Sequence, residues 1–141
     1  MVRKAFDQLG IDEDDVLGDL GAGDGSIVME AAERGARARG WELSPIMWTV
    51  AKLRSLFQRN ATVSFGNFYR KDISDATVVF AFLMPDNMPR AKAYLQKHSF
   101  IEGALFLSYM FPFKDEHPIS VIHEKNCGPI YVYDLKAICN S

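Results

Sequence analysis

The feature that most constrains this chain is a glycine-rich turn placed between an apolar strand and a helix. Gly21, Gly23 and Gly25 follow the predicted strand 16–20 and precede a helix predicted to begin near Ser26, whose hydroxyl can cap it. Because glycine has no side chain, the turn can be tight and a ligand can lie against bare backbone. The unpaired amides at the start of the helix are open to the same ligand. A strand, a bare turn and a helix together predict the first repeat of a parallel α/β sheet.

The remainder of the chain continues this alternation of apolar and amphipathic segments. Apolar runs predict further strands at 38–43, 62–65, 77–83 and 104–109, and the pattern predicts helices at 26–35, 45–59 and 88–98. Residues 2–9 form an opening amphipathic stretch. Ser44 and Pro45 are typical of a helix start, as a cap followed by a first-turn proline. Within that helix one apolar face is predicted, formed by Ile46, Val50, Leu53 and Phe57.

The last two predicted strands differ from the others in how they are connected. Residues 119–123 and 130–135 are separated only by a short turn that contains Gly128 and Pro129. A helix does not fit into that turn, so these strands are predicted to form an antiparallel hairpin. The predicted fold class is therefore α/β, with a doubly wound, mostly parallel seven-stranded sheet and a C-terminal antiparallel hairpin. The length of 141 residues predicts a single domain over residues 1–141.

Composition narrows the function classes that need to be considered. The net charge is −2 and no basic stripe is present, which disfavours a nucleic acid partner. The histidines and cysteines have no metal-ligand spacing, so no metal is expected: His98, His117, His123, Cys127 and Cys139. The longest apolar runs are too short to cross a bilayer and no secretory signal is recognisable, so we expect no membrane partner and a cytoplasmic location.

Two carboxylates accompany the glycine turn. Asp19 stands two residues before its first glycine. Glu42 stands at the tip of the second predicted strand, where a carboxylate can accept hydrogen bonds from both hydroxyls of a ribose. Asp19 is poorly suited to lie beside a pyrophosphate but suits the cationic amino group of a methionine moiety. The third glycine also comes one residue earlier than in the usual dinucleotide pattern, which leaves Ser26 at that place. The sequence therefore predicts a nucleoside ligand that carries a positive charge.

The heptapeptide at 19–25, DLGAGDG, resembles the first motif of the class I S-adenosylmethionine-dependent methyltransferases, and the closing hairpin is typical of that class. Four segments are more narrowly similar to the protein lysine methyltransferases of the ATP synthase c-subunit and adenine nucleotide translocase family and their prokaryotic relatives: 19–30, 40–45, 66–72 and 74–85. The resemblance implies a Rossmann-like methyltransferase fold and S-adenosylmethionine as cofactor. It also implies an enzyme that transfers a methyl group to a protein lysine amine.

The same resemblance implies roles for individual residues at the cofactor site. Asp19 and Gly21 would hold the methionine end, within the bend that Gly23 and Gly25 complete, and Glu42 would bind the ribose. Leu43 would pack on the adenine, while Asn67 and the backbone at Phe68 would face the adenine edge. An amide oxygen at Asn67 can accept from the exocyclic amine. The alternative is that Asn67 is an ordinary turn residue.

The acceptor side is predicted from topology. Ligands of open α/β sheets bind beyond the carboxyl ends of the strands, which places the loop after the fourth strand near the transferred methyl group. Asp86 and Asn87 are the candidates that would receive or orient the amine, and their alternative role is to cap the following helix. Tyr109, at the end of the fifth strand, supplies either a hydroxyl or an aromatic wall.

Three other functions remain open at this stage. The same fold can methylate a small molecule, because loops set the substrate. The chain can also be a cofactor-binding module that has no activity until a partner chain completes it. A nicotinamide oxidoreductase is disfavoured by Asp19 and by the closing hairpin. The sequence leaves the oligomeric state open.

Overall fold

The structure is a computed structural model that describes residues 2–141. The chain divides into two compact units, Met1–Lys71 and Asp72–Ser141. No helix within the described part of the chain is long and apolar enough to span a membrane.

The first unit contains three parallel strands, and the second of them along the chain lies in the middle. Its elements are α1 (Val2–Leu9), β1 (Val16–Leu20), α2 (Ser26–Glu33), β2 (Arg37–Glu42), α3 (Pro45–Ser55), β3 (Ala61–Phe65) and a 3₁₀ turn (Phe68–Arg70). Every residue of β1 is buried, and Phe6, Leu17 and Val28 are among the largest fully buried side chains. Burial of both faces of β1 explains the apolar side chains at Val16, Leu17 and Leu20.

The second unit carries the other four strands. Its elements are β4 (Val78–Ala81), a 3₁₀ turn (Pro85–Asn87), α4 (Met88–Leu95), β5 (Leu105–Tyr109), β6 (Ser120–Ile122), β7 (Ile130–Asp134) and α5 (Leu135–Cys139). Strands β4 and β5 are parallel, whereas β7 runs antiparallel to both β5 and β6. Three packed aromatic rings, Phe106, Phe113 and Tyr133, fill the core beside β5 and β7.

The predicted fold class is confirmed. The seven strands belong to a mostly parallel sheet, and the predicted C-terminal hairpin is the antiparallel pair β6 and β7. The interpretation of residues 1–141 as a single domain stays a prediction.

Several predicted boundaries and one predicted cap are wrong. Strand β4 is shorter than the run 77–83, and α3 ends at Ser55 because the chain then tightens into a turn, where Phe57 N–H donates to the Arg54 carbonyl at 3.3 Å. Ser26 does not cap α2, since Gly25 occupies the cap position in a left-handed conformation. The Ser26 hydroxyl instead donates to Asp24 Oδ1.

The apolar face of α3 lies on the side of the helix opposite to its buried residues. Ile46, Val50 and Leu53 share one face, as the periodicity predicts, but they are 77%, 37% and 58% exposed. Phe57, predicted for the same face, lies in the turn after α3 and is 89% exposed. The buried positions of α3 are the small residues Ala51 and Ser55. Small residues allow the helix to lie close to its neighbours, so the large apolar side chains are left on the outside.

Candidate cofactor site

The glycine bend between β1 and α2 has the conformation that only glycine adopts without strain. Gly21, Gly23 and Gly25 have φ angles of +93°, +55° and +82°. A Cβ added to Gly21 or Gly23 would meet no heavy atom within 4 Å, so open space lies over this part of the bend. At Gly25 the same added atom would lie 3.0 Å from Ala51 Cβ. The first two glycines thus leave room for a ligand, and the third allows α2 to approach α3.

Hydrogen bonds hold the bend against the end of β2. Ala22 N–H donates to the Trp41 carbonyl at 2.9 Å. Gly23 N–H donates to Glu42 Oε2 at 2.8 Å, and Ser44 N–H donates to Glu42 Oε1 at 2.7 Å. A carboxylate oxygen can accept more than one hydrogen bond, so Glu42 still has acceptor capacity for a ligand. The predicted ribose-binding residue therefore lies directly beside the bend.

Gly40 is a residue of this site that our sequence reasoning missed. A Cβ added to Gly40 in β2 would lie 2.6 Å from Ala22 Cβ and 2.8 Å from Val28 Cγ2, which is closer than real Cβ atoms come. The absence of a side chain at Gly40 therefore lets the bend and the first turn of α2 pack onto β2. An isolated glycine inside a predicted strand is the signal that could have indicated such a close approach.

Within the part of the chain that the structure describes, Asp19 is a buried carboxyl group that has no cation beside it to stabilise its ionised form. Asp19 is only 2% exposed, and its Oδ2 atom has no hydrogen-bond partner within residues 2–141. Burial raises the pKa of Asp19 to about 8, with further contributions from the negative charges of Glu42 and Asp24. A buried acid without a partner is costly unless a binding partner supplies the missing interaction. The site is therefore suited to a ligand that brings a cation to Asp19.

Asp24, at the other side of the bend, is in a contrasting environment. Its Oδ1 atom accepts hydrogen bonds from the backbone and the hydroxyl of Ser26, and its Oδ2 atom pairs with Arg54 at 2.8 Å. The Ser26 hydroxyl, more than Arg54, lowers the pKa of Asp24. Asp24 is thus engaged in holding the start of α2 and differs from the unpaired Asp19.

The predicted adenine-binding residues follow the ends of β2 and β3. These ends meet, since Gly66 N–H donates to the Glu42 carbonyl at 3.0 Å. Leu43 is exposed and Phe68 is buried. Asn67 Oδ1 accepts from Tyr69 N–H at 3.0 Å and so caps the following 3₁₀ turn. This contact agrees with the alternative interpretation of Asn67 as a turn residue. Its contact with adenine stays a prediction.

The groups around the bend fit S-adenosylmethionine in their chemistry. An uncompensated carboxylate, a stretch of open backbone and a second carboxylate on the neighbouring strand match an ammonium, a chain that lies against the backbone and a ribose. No group of three or more potential metal ligands occurs in the part of the chain that the structure describes. The site therefore fits the organic cofactor through hydrogen bonds and charge.

The predicted acceptor residues lie in the second unit. Asp86 and Asn87 are exposed in the 3₁₀ turn after β4, and Asn87 precedes α4 without a side-chain capping hydrogen bond. The Tyr109 ring packs at 5.1 Å from the Phe82 ring, and its hydroxyl accepts weakly from Gly128 N–H at 3.4 Å. These contacts favour the aromatic wall over the free hydroxyl for Tyr109.

A cavity of about 840 Å³ lies along α4 and the loop after β5, and Asp86 and Lys92 are among its lining residues. The loop is fixed in place by Lys92, whose Nζ pairs with Asp115 at 2.8 Å and Glu116 at 2.6 Å. These partners raise the pKa of Lys92, Asp115 more than Glu116. The loop that borders the cavity is therefore held by charge pairs.

Comparison with known proteins places the chain in a family. Residues 19–120 match the model of the ANTKMT methyltransferase domain. The chain belongs to the ANTKMT methyltransferase domain family. The predicted resemblance is thereby confirmed, together with S-adenosylmethionine as cofactor and methyltransferase as enzyme class.

Individual relatives agree with this family. A protein-lysine N-methyltransferase of Saccharolobus islandicus is 32% identical over 127 residues, which cover 86% of this chain and 78% of that protein. The adenine nucleotide translocase lysine N-methyltransferase of Mus musculus is 32% identical over 123 residues, with 83% of this chain and 52% of that protein covered. The chain spans about half the length of such vertebrate relatives.

One similar solved structure contains a bound cofactor product. It is an RNA methyltransferase from Salinibacter ruber in complex with S-adenosyl-L-homocysteine, with a TM-score of 0.84 and 28% identity. The alignment covers 95% of this chain and 89% of that one.

Proposed function

We propose that this chain transfers the methyl group of S-adenosylmethionine to a lysine amine of a protein, acting in the cytoplasm. The observation that carries the donor half of the proposal is the buried, unpaired Oδ2 of Asp19 beside an open glycine bend. The acceptor half is supported by the relatives, whose names specify lysine of a protein as the acceptor. The archaeal relative is the better guide, since the chain covers 78% of its length.

On the donor side, each residue has one task. Asp19 pairs with the ammonium, which compensates its buried charge, and the backbone at Gly21 and Gly23 lies against the methionine chain. Glu42 accepts from the ribose hydroxyls with the lone pairs that Gly23 and Ser44 leave unused. When bound, the cofactor supplies a methyl group attached to a sulfonium sulfur, which leaves as a neutral thioether and needs no further activation.

On the acceptor side, the protein has to align an amine and remove its proton. A free lysine amine has a pKa of about 10.4, so at neutral pH its deprotonation costs roughly 4–5 kcal/mol. Asp86 and Asn87 are proposed to orient this amine through their side-chain oxygens, and the Tyr109 ring to wall its path. Alignment of amine, methyl and sulfur in a site that excludes water then supplies most of the rate.

Labelled S-adenosylmethionine tests the acceptor class. The chain is incubated with a lysate, the products are separated into protein, RNA and small molecules, and labelled protein is hydrolysed to identify methyl-lysine. We expect the label in methyl-lysine. Label in RNA or in a small molecule would overturn the proposal, as would the absence of any transfer by a chain that binds the cofactor.

The cofactor site is tested by removing its two carboxylates. Asp19→Ala and Glu42→Ala are each expected to weaken S-adenosylhomocysteine binding by about 1 kcal/mol or more, because each removes a charge-assisted contact. Isothermal titration calorimetry measures the change, and Glu13→Ala, at an exposed acid outside the bend, is the matched control. Unchanged affinity in both variants, with the fold intact, would contradict the assignment.

The acceptor residues are tested separately from the donor site. Asp86→Asn and Asn87→Ala are expected to lower methyl transfer roughly tenfold or more, as loss of an orienting or proton-accepting group does. Neither change should alter S-adenosylhomocysteine affinity, since both residues act on the amine. Methyl transfer at the wild-type rate in both variants would remove them from the proposed mechanism.

A further inference from the structure

The outer face of α3 and the turn that follows it form an apolar surface without a partner in the first unit. We name it the α3 ridge, which consists of Ile46, Val50, Leu53, Leu56 and Phe57, all exposed. Within α3, Ile46, Val50 and Leu53 are spaced by four and three residues, which is the spacing of one helix face, and Leu56 and Phe57 follow in the turn after the helix. Most surface helices turn such a stripe inward, so an outward stripe of large apolar side chains marks a contact surface.

The chain segment that carries the α3 ridge contains only basic charged residues. Residues 43–60 contain Lys52, Arg54 and Arg59 and no acidic residue, although the whole chain has a net charge of −2. All three cations are exposed. Arg54 pairs with Asp24, and Glu33 shares with the ridge a groove of about 530 Å³. Lys52 and Arg59 are therefore the cations that extend the positive charge of this surface.

Size and charge together decide which partner fits. A stable protein interface takes roughly 20–30 residues from each side, far more than the ridge provides. A lipid surface requires only a few inserted apolar side chains flanked by basic residues, and it supplies negative charge.

We propose that the α3 ridge is a peripheral binding site for an anionic lipid surface. Phe57, Leu53 and Ile46 enter the boundary between headgroups and acyl chains, while Lys52 and Arg59 bind lipid phosphates. Such a contact needs no membrane-spanning helix. It revises our expectation of no membrane partner, which rested on the lack of a spanning segment.

Vesicle flotation with the full chain tests this proposal. Vesicles of phosphatidylcholine alone are compared with vesicles of equimolar phosphatidylcholine and phosphatidylglycerol. The wild type should float with the anionic vesicles, and added salt should weaken its binding. Combined Ile46→Ser, Leu53→Ser and Phe57→Ser should weaken it at least tenfold, and Lys52→Glu with Arg59→Glu should do the same.

The matched control removes apolar side chains of equal exposure elsewhere. Ile101 and Ile119 are 58% and 63% exposed in the second unit, so Ile101→Ser with Ile119→Ser should leave flotation unchanged. Far-ultraviolet circular dichroism and S-adenosylhomocysteine affinity confirm folding. If the triple variant does not fold, Phe57→Ser alone replaces it, since that ring is almost wholly exposed.

Three outcomes would overturn the proposal. The first is a wild type that does not float with anionic vesicles, and the second is a ridge variant that floats as well as the control. The third is a concentration-dependent dimer, detected by light scattering without lipid, that the ridge variant abolishes, since the ridge would then bind a second copy.

Discussion

The space beside the Cα atom of Gly40 holds a hydrogen atom but is too small for a Cβ atom. Ala22 and Val28 lie so close to this position that the bend, α2 and β2 pack together only around a glycine. Asp19, two residues before the first glycine of the bend, is the opposite case, because there a side chain is present but lacks a partner. The candidate cofactor site thus depends on the absence of a side chain at Gly40 and on the unpartnered carboxyl group of Asp19.

Replacement of Gly40 tests the first of these features. Gly40→Ala should lower the free energy of unfolding by about 1–3 kcal/mol, because the added methyl overpacks a close contact. It should also weaken S-adenosylhomocysteine binding, since the bend has to move. Gly18→Ala on the neighbouring strand is the control, because its Cβ would lie 3.7 Å from Trp41, an ordinary contact. Equal stability and affinity of the two variants, measured by chemical denaturation and calorimetry, would show that the close approach does not matter.

The two carboxylates and the three glycines could be predicted from the sequence because they belong to one short motif and one strand tip. For Gly40 the sequence offers only the signal of an isolated glycine in a strand, and the residues that approach it, Ala22 and Val28, are known only from the structure. The lack of a partner for Asp19 Oδ2 could not be predicted, because a missing hydrogen bond is visible only when all neighbours are known.

Among the elements, the strands could be predicted to within a few residues, since buried strands are short apolar runs. Periodicity also predicted which residues of α3 share an apolar face. It did not predict that this face is exposed, because a stripe of apolar side chains does not show which side of the helix is covered. Helix α5 was missed. It has only five residues, and its start depends on Asp134, whose Oδ1 accepts from Lys136 N–H and Ala137 N–H.

The loop after β5 offers a test at the level of one element. Tyr133 in β7 accepts, through its hydroxyl oxygen, a hydrogen bond from Phe113 N–H at 2.9 Å, and both residues are buried. Tyr133→Phe should lower the free energy of unfolding by about 1–3 kcal/mol, because a buried amide is left without an acceptor. Chemical denaturation measures this change, with Tyr131→Phe on the same strand as control. A Tyr133→Phe variant as stable as Tyr131→Phe would exclude a role for this bond in holding the loop.

For the whole molecule, stability should depend on pH in two opposite ways. The folded chain holds a proton on Asp19 up to about pH 8, whereas the unfolded chain releases it near the ordinary value of 3.8. The folded state therefore binds more protons over this interval, and stability falls as pH rises through it. Hydrogen bonds and charge pairs lower the pKa of Asp24, Asp115 and Glu116, so their contribution is lost as pH falls below about 4.

The midpoint temperature of thermal unfolding of the cofactor-free chain should consequently be highest at about pH 5 and fall toward about pH 8. Asp19→Asn imitates the protonated acid and should remove most of the decline. Saturating S-adenosylhomocysteine should remove it as well, because its ammonium compensates the ionised carboxylate. The same decline in the wild type and in Asp19→Asn would show that another group causes the loss of stability as pH rises.

The hydrogen bonds from Gly23 and Ser44 to Glu42, with that from Ala22 to Trp41, are all made within the protein itself. The entropy of ordering this segment is thus lost during folding and not when the small molecule arrives. Association should therefore be fast and need little rearrangement, and heating should abolish recognition only at the temperature where the surrounding strands melt.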